Sequence, residues 1–282
     1  MTATAVRTVA LPSGERIPAL GMGTWRMGED PLLRDSEIAA LRLGVDLGLT
    51  LVDTAEMYGD GLTEELVGEA LAGRRDEVFL VSKVMPHHAT RRGTVAACAE
   101  SLDRLRTDHL DLYLLHWRGR VPLTETLAGF EDLVASGRIR RWGVSNFDVG
   151  DMAELVGLPG GGGVQVNQVL YNLMRRGIEY DLLPWCVRAG IPIMAYSPVE
   201  QGMLLDHPVV RGVAERHGVS AAQVALAWVL RLDAVNAIPK AGTPKHVYED
   251  RAALDLALTP ADLRELDLAF PPPDHKMPLE LH

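Results

Sequence analysis

Short apolar runs recur along this chain roughly every 30 residues, with a helix-like stretch between each pair, the pattern of successive βα units. The runs cover residues 19–23, 50–53, 78–83, 110–116, 141–145, 164–169, 191–196 and 234–238. Eight such units with no break in composition predict an α/β fold, a (β/α)8 TIM barrel. The length of 282 residues suits it, since such a barrel needs about 250. A hairpin candidate precedes the first run: Thr8-Val9-Ala10-Leu11, a turn at Pro12-Ser13-Gly14, then Arg16-Ile17. A short tail follows Phe270, so residues 1–282 read as one domain. Helices are expected from a cap at Ser36 to Leu47, with Gly48 as the stop signal, from Thr63, and over 124–135, 179–188, 209–217 and 221–230.

Composition narrows the function. The hydrophobic content of 47% is enough for a large core, and the net charge is -10 with the acidic residues spread out. That balance argues against a general nucleic-acid or anionic-membrane binder, both of which want a basic surface. The basic cluster Arg138-Ile139-Arg140-Arg141 runs into a strand and reads as surface charge. Cys98 and Cys186 each lie in a helix-like segment, so no disulfide framework is expected and a reducing compartment follows. Met1-Thr2-Ala3-Thr4 lacks the charged start and apolar core of a signal peptide. No apolar run approaches the roughly 18 residues of a membrane span. The expectation is a cytoplasmic protein. The four-glycine stretch at residues 160–163 precedes a strand instead of opening a helix, so it reads as a bottom-face turn and not a phosphate cradle.

Barrel enzymes hold their chemistry at the carboxyl ends of the strands. There the runs present Asp53, Lys83, His116, Ser145 with Asn146, Gln168, Tyr196 with Ser197, and Lys240. Lys83 is the most telling, because the chain has four lysines against 24 arginines. A lysine closing Phe79-Leu80-Val81-Ser82 needs a carboxylate partner, and Asp53 on the adjacent run is the obvious one. Tyr58 follows Asp53 by five residues. A nearby ammonium favours phenolate, so the Tyr58 pKa is expected to fall toward the working range, fitting it as general acid to a developing alkoxide. His116 beside it would orient or polarise a carbonyl. A metal-dependent hydrolase built on His87, His88, His109 and His116 is disfavoured, since His87 and His88 are adjacent and no His-x-His pair exists; no metal is expected.

These groups can protonate an alkoxide but cannot supply a hydride, so a cofactor is required. The Rossmann fingerprint is missing: Gly21-Met22-Gly23 lacks its third glycine and opens no helix. Ser145, Asn146 and Gln168 nevertheless suit the two ends of a carboxamide, and Tyr196 offers a flat face for a ring. Lys240, with Lys245 and His246 near the next helix N-terminus, makes a phosphate site.

At this point the chain resembles the aldo-keto reductase superfamily over nearly its whole length. The segments that carry the resemblance are Asp53-Thr54-Ala55-Glu56-Met57-Tyr58-Gly59, Leu112-Tyr113-Leu114-Leu115-His116-Trp117, Gly143-Val144-Ser145-Asn146-Phe147 and Ile238-Pro239-Lys240. The resemblance implies Tyr58 as acid, Lys83 and Asp53 as its tuning pair, and His116 as substrate orienter. It implies nicotinamide held by Thr24, Ser145, Asn146 and Gln168, with Tyr196 stacked on the ring. Residues 197–205, among them Ser197, Gly202 and Leu204, should cover the pyrophosphate. Lys240, Ala241, Thr243, His246 and Asp250 belong to the adenosine 2′-phosphate end. Trp25, Met57, Met85 and Trp117 line an apolar cup for the substrate. Residues 56–61, 140–143 and 177–186 are similar to the bacterial methylglyoxal-reductase branch, which reduces small 2-oxoaldehydes with NADPH.

Two departures bear on these implications. Many NADPH-using members place Ser or Gly after the lysine and an arginine six residues beyond it; here Ala241 and His246 stand there. One hydroxyl and one fixed charge are lost, and Asp250 would repel a phosphate if it faced one, so NADP(H) is expected with NAD(H) as a second possibility. The tail is short, which should close the pocket less and disfavour bulky steroids. The resemblance implies a monomer. Alcohol or polyol oxidation in the reverse direction, and a nucleotide-binding regulatory protein of the same fold, are the alternatives.

Overall fold

The computed structural model describes residues 6–282, so the reading of Met1 to Thr4 as lacking a leader lies outside the described residues. Two strands, β1 (Thr8–Ala10) and β2 (Arg16–Pro18), form the antiparallel hairpin, with Thr8 opposite Pro18. The barrel strands follow as β3 (Met22–Gly23), β4 (Leu51–Asp53), β5 (Phe79–Val84), β6 (Leu110–Leu115), β7 (Ile139–Ser145), β8 (Asn167–Leu170), β9 (Ile193–Tyr196) and β10 (Val235–Ala237). Every neighbouring pair from β3 to β10 is parallel. Leu20 bridges Ala237 and Gly23 bridges Lys240, closing the sheet on itself. Around it lie α1 (Arg34–Asp46), α2 (Leu62–Ala70), α3 (Arg91–Leu105), α4 (Leu123–Ala135), α5 (Val149–Gly157), α6 (Leu182–Ala189), α7 (Pro208–His217), α8 (Ala221–Leu230), α9 (Pro244–Ala252) and α10 (Pro260–Ala269). The eight-unit barrel with its hairpin is the architecture that the apolar spacing predicts.

The strands are apolar on both faces because helices cover one side and the barrel interior the other. All six residues of β6 are buried. Asp111 within it is tolerated because Arg75 reaches its Oδ2 at 2.7 Å and Leu80 N donates to the same oxygen at 2.9 Å. The lower mouth is stoppered by the hairpin. Ser13 N donates to Gln165 Oε1 at 2.9 Å, and Arg141 Nε donates to Ser13 Oγ at 3.1 Å and pairs with Glu15 through its guanidinium. The four-glycine stretch forms a 3-10 turn at Gly161–Gly163 just before β8, on that same lower side.

Several local expectations shift. Ser36 does not cap α1, which begins at Arg34; its hydroxyl instead donates to Gly242 O at 3.2 Å. The helix expected from residue 179 begins at Leu182, because Glu179 is taken by Arg176 and Tyr171 in the turn before it. The sixth barrel strand starts at Asn167 instead of 164, although Val166 O still accepts from Val144 N at 3.1 Å. By contrast α8 starts where expected, under a capping box between Ser220 and Gln223. Among the described residues no helix is long and apolar enough to cross a membrane.

Candidate active site

Register puts the candidate residues on one rim. Asp53 ends β4 opposite Val81, so Lys83 stands two residues further up β5; Lys83 pairs with Leu114, and His116 follows two residues later. The backbone then turns at Tyr58–Gly61, a 3-10 turn with left-handed Gly59 and Asp60, which brings the phenol back over the rim. Lys83 Nζ donates to Asp53 Oδ2 at 2.7 Å, to Thr54 O at 2.8 Å and to Tyr58 Oη at 3.2 Å. All three ammonium donors are therefore used, which a lysine buried to 0% exposure requires. The Tyr58 and His116 rings meet edge to face with centroids 5.9 Å apart. The structure thus brings together Asp53, Tyr58, Lys83 and His116 from four separate segments.

Burial alone would lower the Lys83 pKa, but the Asp53 carboxylate and Tyr58 outweigh it and hold the ammonium above its ordinary value. Burial lifts Asp53, with Lys83 and the Gln168 amide pulling the other way. Tyr58 corrects the sequence expectation. Burial pushes the phenol above its ordinary range; Lys83 opposes this and falls short, and Asp53 adds to the rise. His116 goes far below the ordinary imidazole value, through burial and then the Lys83 charge, so it is neutral at neutral pH. Its Nδ1 is buried with no partner among the described residues.

The remaining rim residues sit as follows. Thr24 Oγ1 donates to Asp53 O at 2.8 Å. Ser145 Oγ donates to Gln168 O at 2.9 Å, and Asn146 Nδ2 reaches His116 O and Ser145 Oγ, both at 3.1 Å. Asn146 takes φ 58°, a left-handed conformation that lifts its side chain over the strand end, where Tyr196 Oη donates to its Oδ1 at 3.1 Å. Gln168 spends its amide nitrogen on Asp53 Oδ1 at 2.7 Å. Trp25, Met57, Met85 and Trp117 are partly exposed or exposed, with the Trp117 ring 4.9 Å from that of His116. Lys240 is exposed, Lys245 and His246 stand exposed in the first turn of α9, and Thr243 caps that helix by accepting from His246 N.

Three residues differ from a simple ligand-lining picture. The Leu204 and Ala241 side chains belong to the apolar core, leaving only their backbone for the rim. Asp250 is buried, and burial followed by the Glu249 charge raises its pKa to about 8. It is neutral at neutral pH, which removes the repulsion expected of it.

Sequence reasoning missed the carboxylates that brace this rim. Glu56 Oε1 accepts from Met85 N at 2.6 Å and fixes the cup wall. Glu64, fully buried, accepts from Ser82 Oγ at 2.6 Å and from Arg104 Nε at 2.7 Å, just below Lys83. Glu200 binds Asn172 Nδ2 and Arg175 Nε, each at 2.7 Å. It anchors a segment in which Ser197, Glu200, Gln201 and Gly202 all have positive φ. The tail is also less passive than its length suggests. Lys276 pairs with Asp181, Glu280 with Arg175, and His282 Nε2 lies 3.3 Å from Glu200 Oε2, with its ring 6.4 Å from Tyr196. Nothing in the local sequence marks these acids as buried: Glu64, between Thr63 and Glu65, reads as part of an ordinary acidic first turn.

Known proteins are similar to this chain in sequence and in fold. Methylglyoxal reductase YeaE of Escherichia coli (strain K12) is 55% identical over 270 residues, 94% of this chain and 95% of that protein. Glyoxal reductase of Bacillus subtilis (strain 168) is 35% identical, over 92% of this chain and 91% of its own. The crystal structure of an aldo-keto reductase from Klebsiella pneumoniae in complex with NADPH superposes with a TM-score of 0.96 at 50% identity, covering 99% of this chain and 100% of that one. The profile of the Aldo/keto reductase family matches residues 19–269, nearly the whole barrel, so with the rim of Asp53, Tyr58, Lys83 and His116 in place the chain belongs to that family.

Proposed function

We propose that this chain reduces small aldehydes and 2-oxoaldehydes of the methylglyoxal type to alcohols, with NADP(H) as hydride donor, NAD(H) as a weaker alternative and Tyr58 as proton donor. The observation that carries this reading is the contact series from Tyr58 Oη to Lys83 Nζ at 3.2 Å and on to Asp53 Oδ2 at 2.7 Å. Similarity to the methylglyoxal and glyoxal reductases supports the substrate class, and the NADPH-bound Klebsiella pneumoniae relative supports the cofactor. Residues 1–282 act as one barrel domain, a monomer working in the cytoplasm.

The donor set of the rim fits a nicotinamide dinucleotide. Gln168, whose nitrogen is held by Asp53, keeps its Oε1 as an acceptor for a carboxamide, and Ser145 and Asn146 stand beside it with a hydroxyl and an amide, next to Thr24 and the face of Tyr196. The segment from Ser197 through Gly202 to Leu204 offers backbone donors, and a side chain at Gly202 would meet nothing within 4 Å. Lys240, Ala241, Thr243, His246 and Asp250 form the far end, where Lys240 supplies the charge for a phosphate. When bound, the dinucleotide supplies a hydride to the carbonyl carbon.

The chain's own residues do the rest. Trp25, Met57, Met85 and Trp117 form the apolar wall that orients a small carbonyl compound. Neutral His116 keeps an N–H to offer the carbonyl oxygen. As negative charge develops there, Tyr58 gives up its proton, and the fixed Lys83 ammonium stabilises the phenolate left behind. Asp53 keeps Lys83 charged and aimed. Because the four side chains are assembled, catalysis is favoured over a purely regulatory role.

The test follows nicotinamide absorbance with methylglyoxal and either NADPH or NADH. Turnover with NADPH in excess of NADH is expected, falling about 10³-fold in Tyr58→Phe while NADPH still binds. Turnover retained in Tyr58→Phe removes Tyr58 as the acid. Binding without turnover in the unaltered protein removes this substrate class.

A further inference from the structure

Glu37 takes no part in the constellation above, yet it is a carboxylate buried to 2% exposure in the first turn of α1. Its Oε2 accepts from Gly28 N at 2.8 Å, tying down the loop that leaves the rim after Trp25. Its Oε1 lies 3.7 Å from Nζ of Lys240. The two are held in register by the backbone between them. Ser36 Oγ bonds Gly242 O, and a Cβ at Gly242 would stand 3.0 Å from Lys240 Nζ and 3.7 Å from Glu37 Cγ. Gly242 therefore leaves room for the lysine to fold back over its own loop toward Glu37. A carboxylate so deprived of water relies on the nearby cation for compensation. The nearest comparable pairing on α9, Lys245 with Glu249 at 3.9 Å, is between exposed or partly exposed side chains and is screened by solvent.

We propose that Glu37 is a specificity-determining residue, a built-in counter-anion to Lys240 that weakens selection for the dinucleotide bearing a 2′-phosphate over the one lacking it. The inference rests on the reading of Lys240 as the phosphate-binding cation. A phosphate arriving at Lys240 meets an ammonium whose charge is already partly compensated, and it also faces a fixed negative charge behind it. The unphosphorylated dinucleotide meets neither penalty. With Ala241 and His246 in place of a hydroxyl or glycine and an arginine, the chain lacks the contacts that would override this effect.

The experiment measures dissociation constants for NADP+ and NAD+ by quenching of intrinsic tryptophan fluorescence, in the unaltered protein and in Glu37→Gln. Glutamine keeps a carbonyl acceptor for Gly28 N and removes only the charge. The NADP+ constant should fall roughly five- to tenfold, by more at low salt than at high, while that for NAD+ stays within about twofold. An NADP+ constant that is unchanged or raised overturns the proposal, as does an equal shift for both dinucleotides, which marks a loop-bracing role alone. An unaltered protein that binds neither dinucleotide removes the reading of the site itself, and the inference with it. A second pair guards against poor folding of the single variant. Lys240→Met/Glu37→Gln, which lacks both charges, should bind NADP+ several-fold more tightly than Lys240→Met; equal affinity overturns the proposal.

Discussion

The side-chain amide of Gln168 donates to Oδ1 of Asp53 over 2.7 Å, while Lys83 holds Oδ2 at the same distance. The carboxylate behind the candidate acid is thus gripped from both sides of the barrel, and Gln168 helps to position it. Gln168→Leu leaves Asp53 one donor short in a buried setting. Chemical denaturation should show a loss of about 1–3 kcal/mol, accompanied by a lower kcat. Unchanged stability would mean that Asp53 is compensated from elsewhere.

The pH dependence of catalysis and of stability should point in different directions. Tyr58 is held above the ordinary phenol value, so the acid stays protonated through neutrality and the rate of reduction should decline only above about pH 10. An alkaline limb near neutral pH in the rate profile would contradict this. His116 enters the fold neutral with a depressed pKa. Below about pH 6.5 the unfolded chain takes up a proton that the folded chain refuses. Stability should therefore fall as pH drops through that value toward the folded pKa, and His116→Gln should flatten the slope.

Asp250 carries the opposite sign. With its pKa raised to about 8, the folded carboxyl keeps a proton that the unfolded chain has released from about pH 3.9 upward. Stability contributed by this group is present at acid pH and is lost as pH rises through that window. Asp250→Asn removes the titration and should stabilise the fold by about 2–4 kcal/mol at alkaline pH and far less near pH 4. Thermal melts at the two pH values read the difference; a gain that does not vary with pH would show that the carboxyl is not buried in its acid form.

The parts of this site legible in the sequence are those set by local pattern. Asp53, Lys83 and His116 stand out because each polar residue closes an apolar run, and β-strand register carries that pattern directly to the rim. The hairpin and α8 were readable for the same reason: Pro12-Ser13-Gly14 marks a turn, and 221–230 is a helix-like stretch between two apolar runs. What escaped depends on partners far apart in sequence. Gln168 and Asp53 are separated by 115 residues, and Ser36 and Gly242 by 206. Ser36 looked like a cap because a serine before an apolar pattern has that local meaning, but a carbonyl from the last strand's loop claims its hydroxyl. The Tyr58 pKa went the other way for a related reason. Proximity to Lys83 is visible from strand ends, whereas the depth of burial that outweighs it emerges only once the turn at Tyr58–Gly61 folds back. Glu37, Glu64 and Glu200 hid as ordinary helix or loop acids, since nothing in their neighbours announces that they are buried.

The stoppered lower mouth has a practical side. Ser13, Glu15, Arg141 and Gln165 tie the hairpin to the base of the barrel, opposite the rim. A molecule tethered to a solid support by that base would stand upright, with its working face turned to the solution and every copy oriented alike.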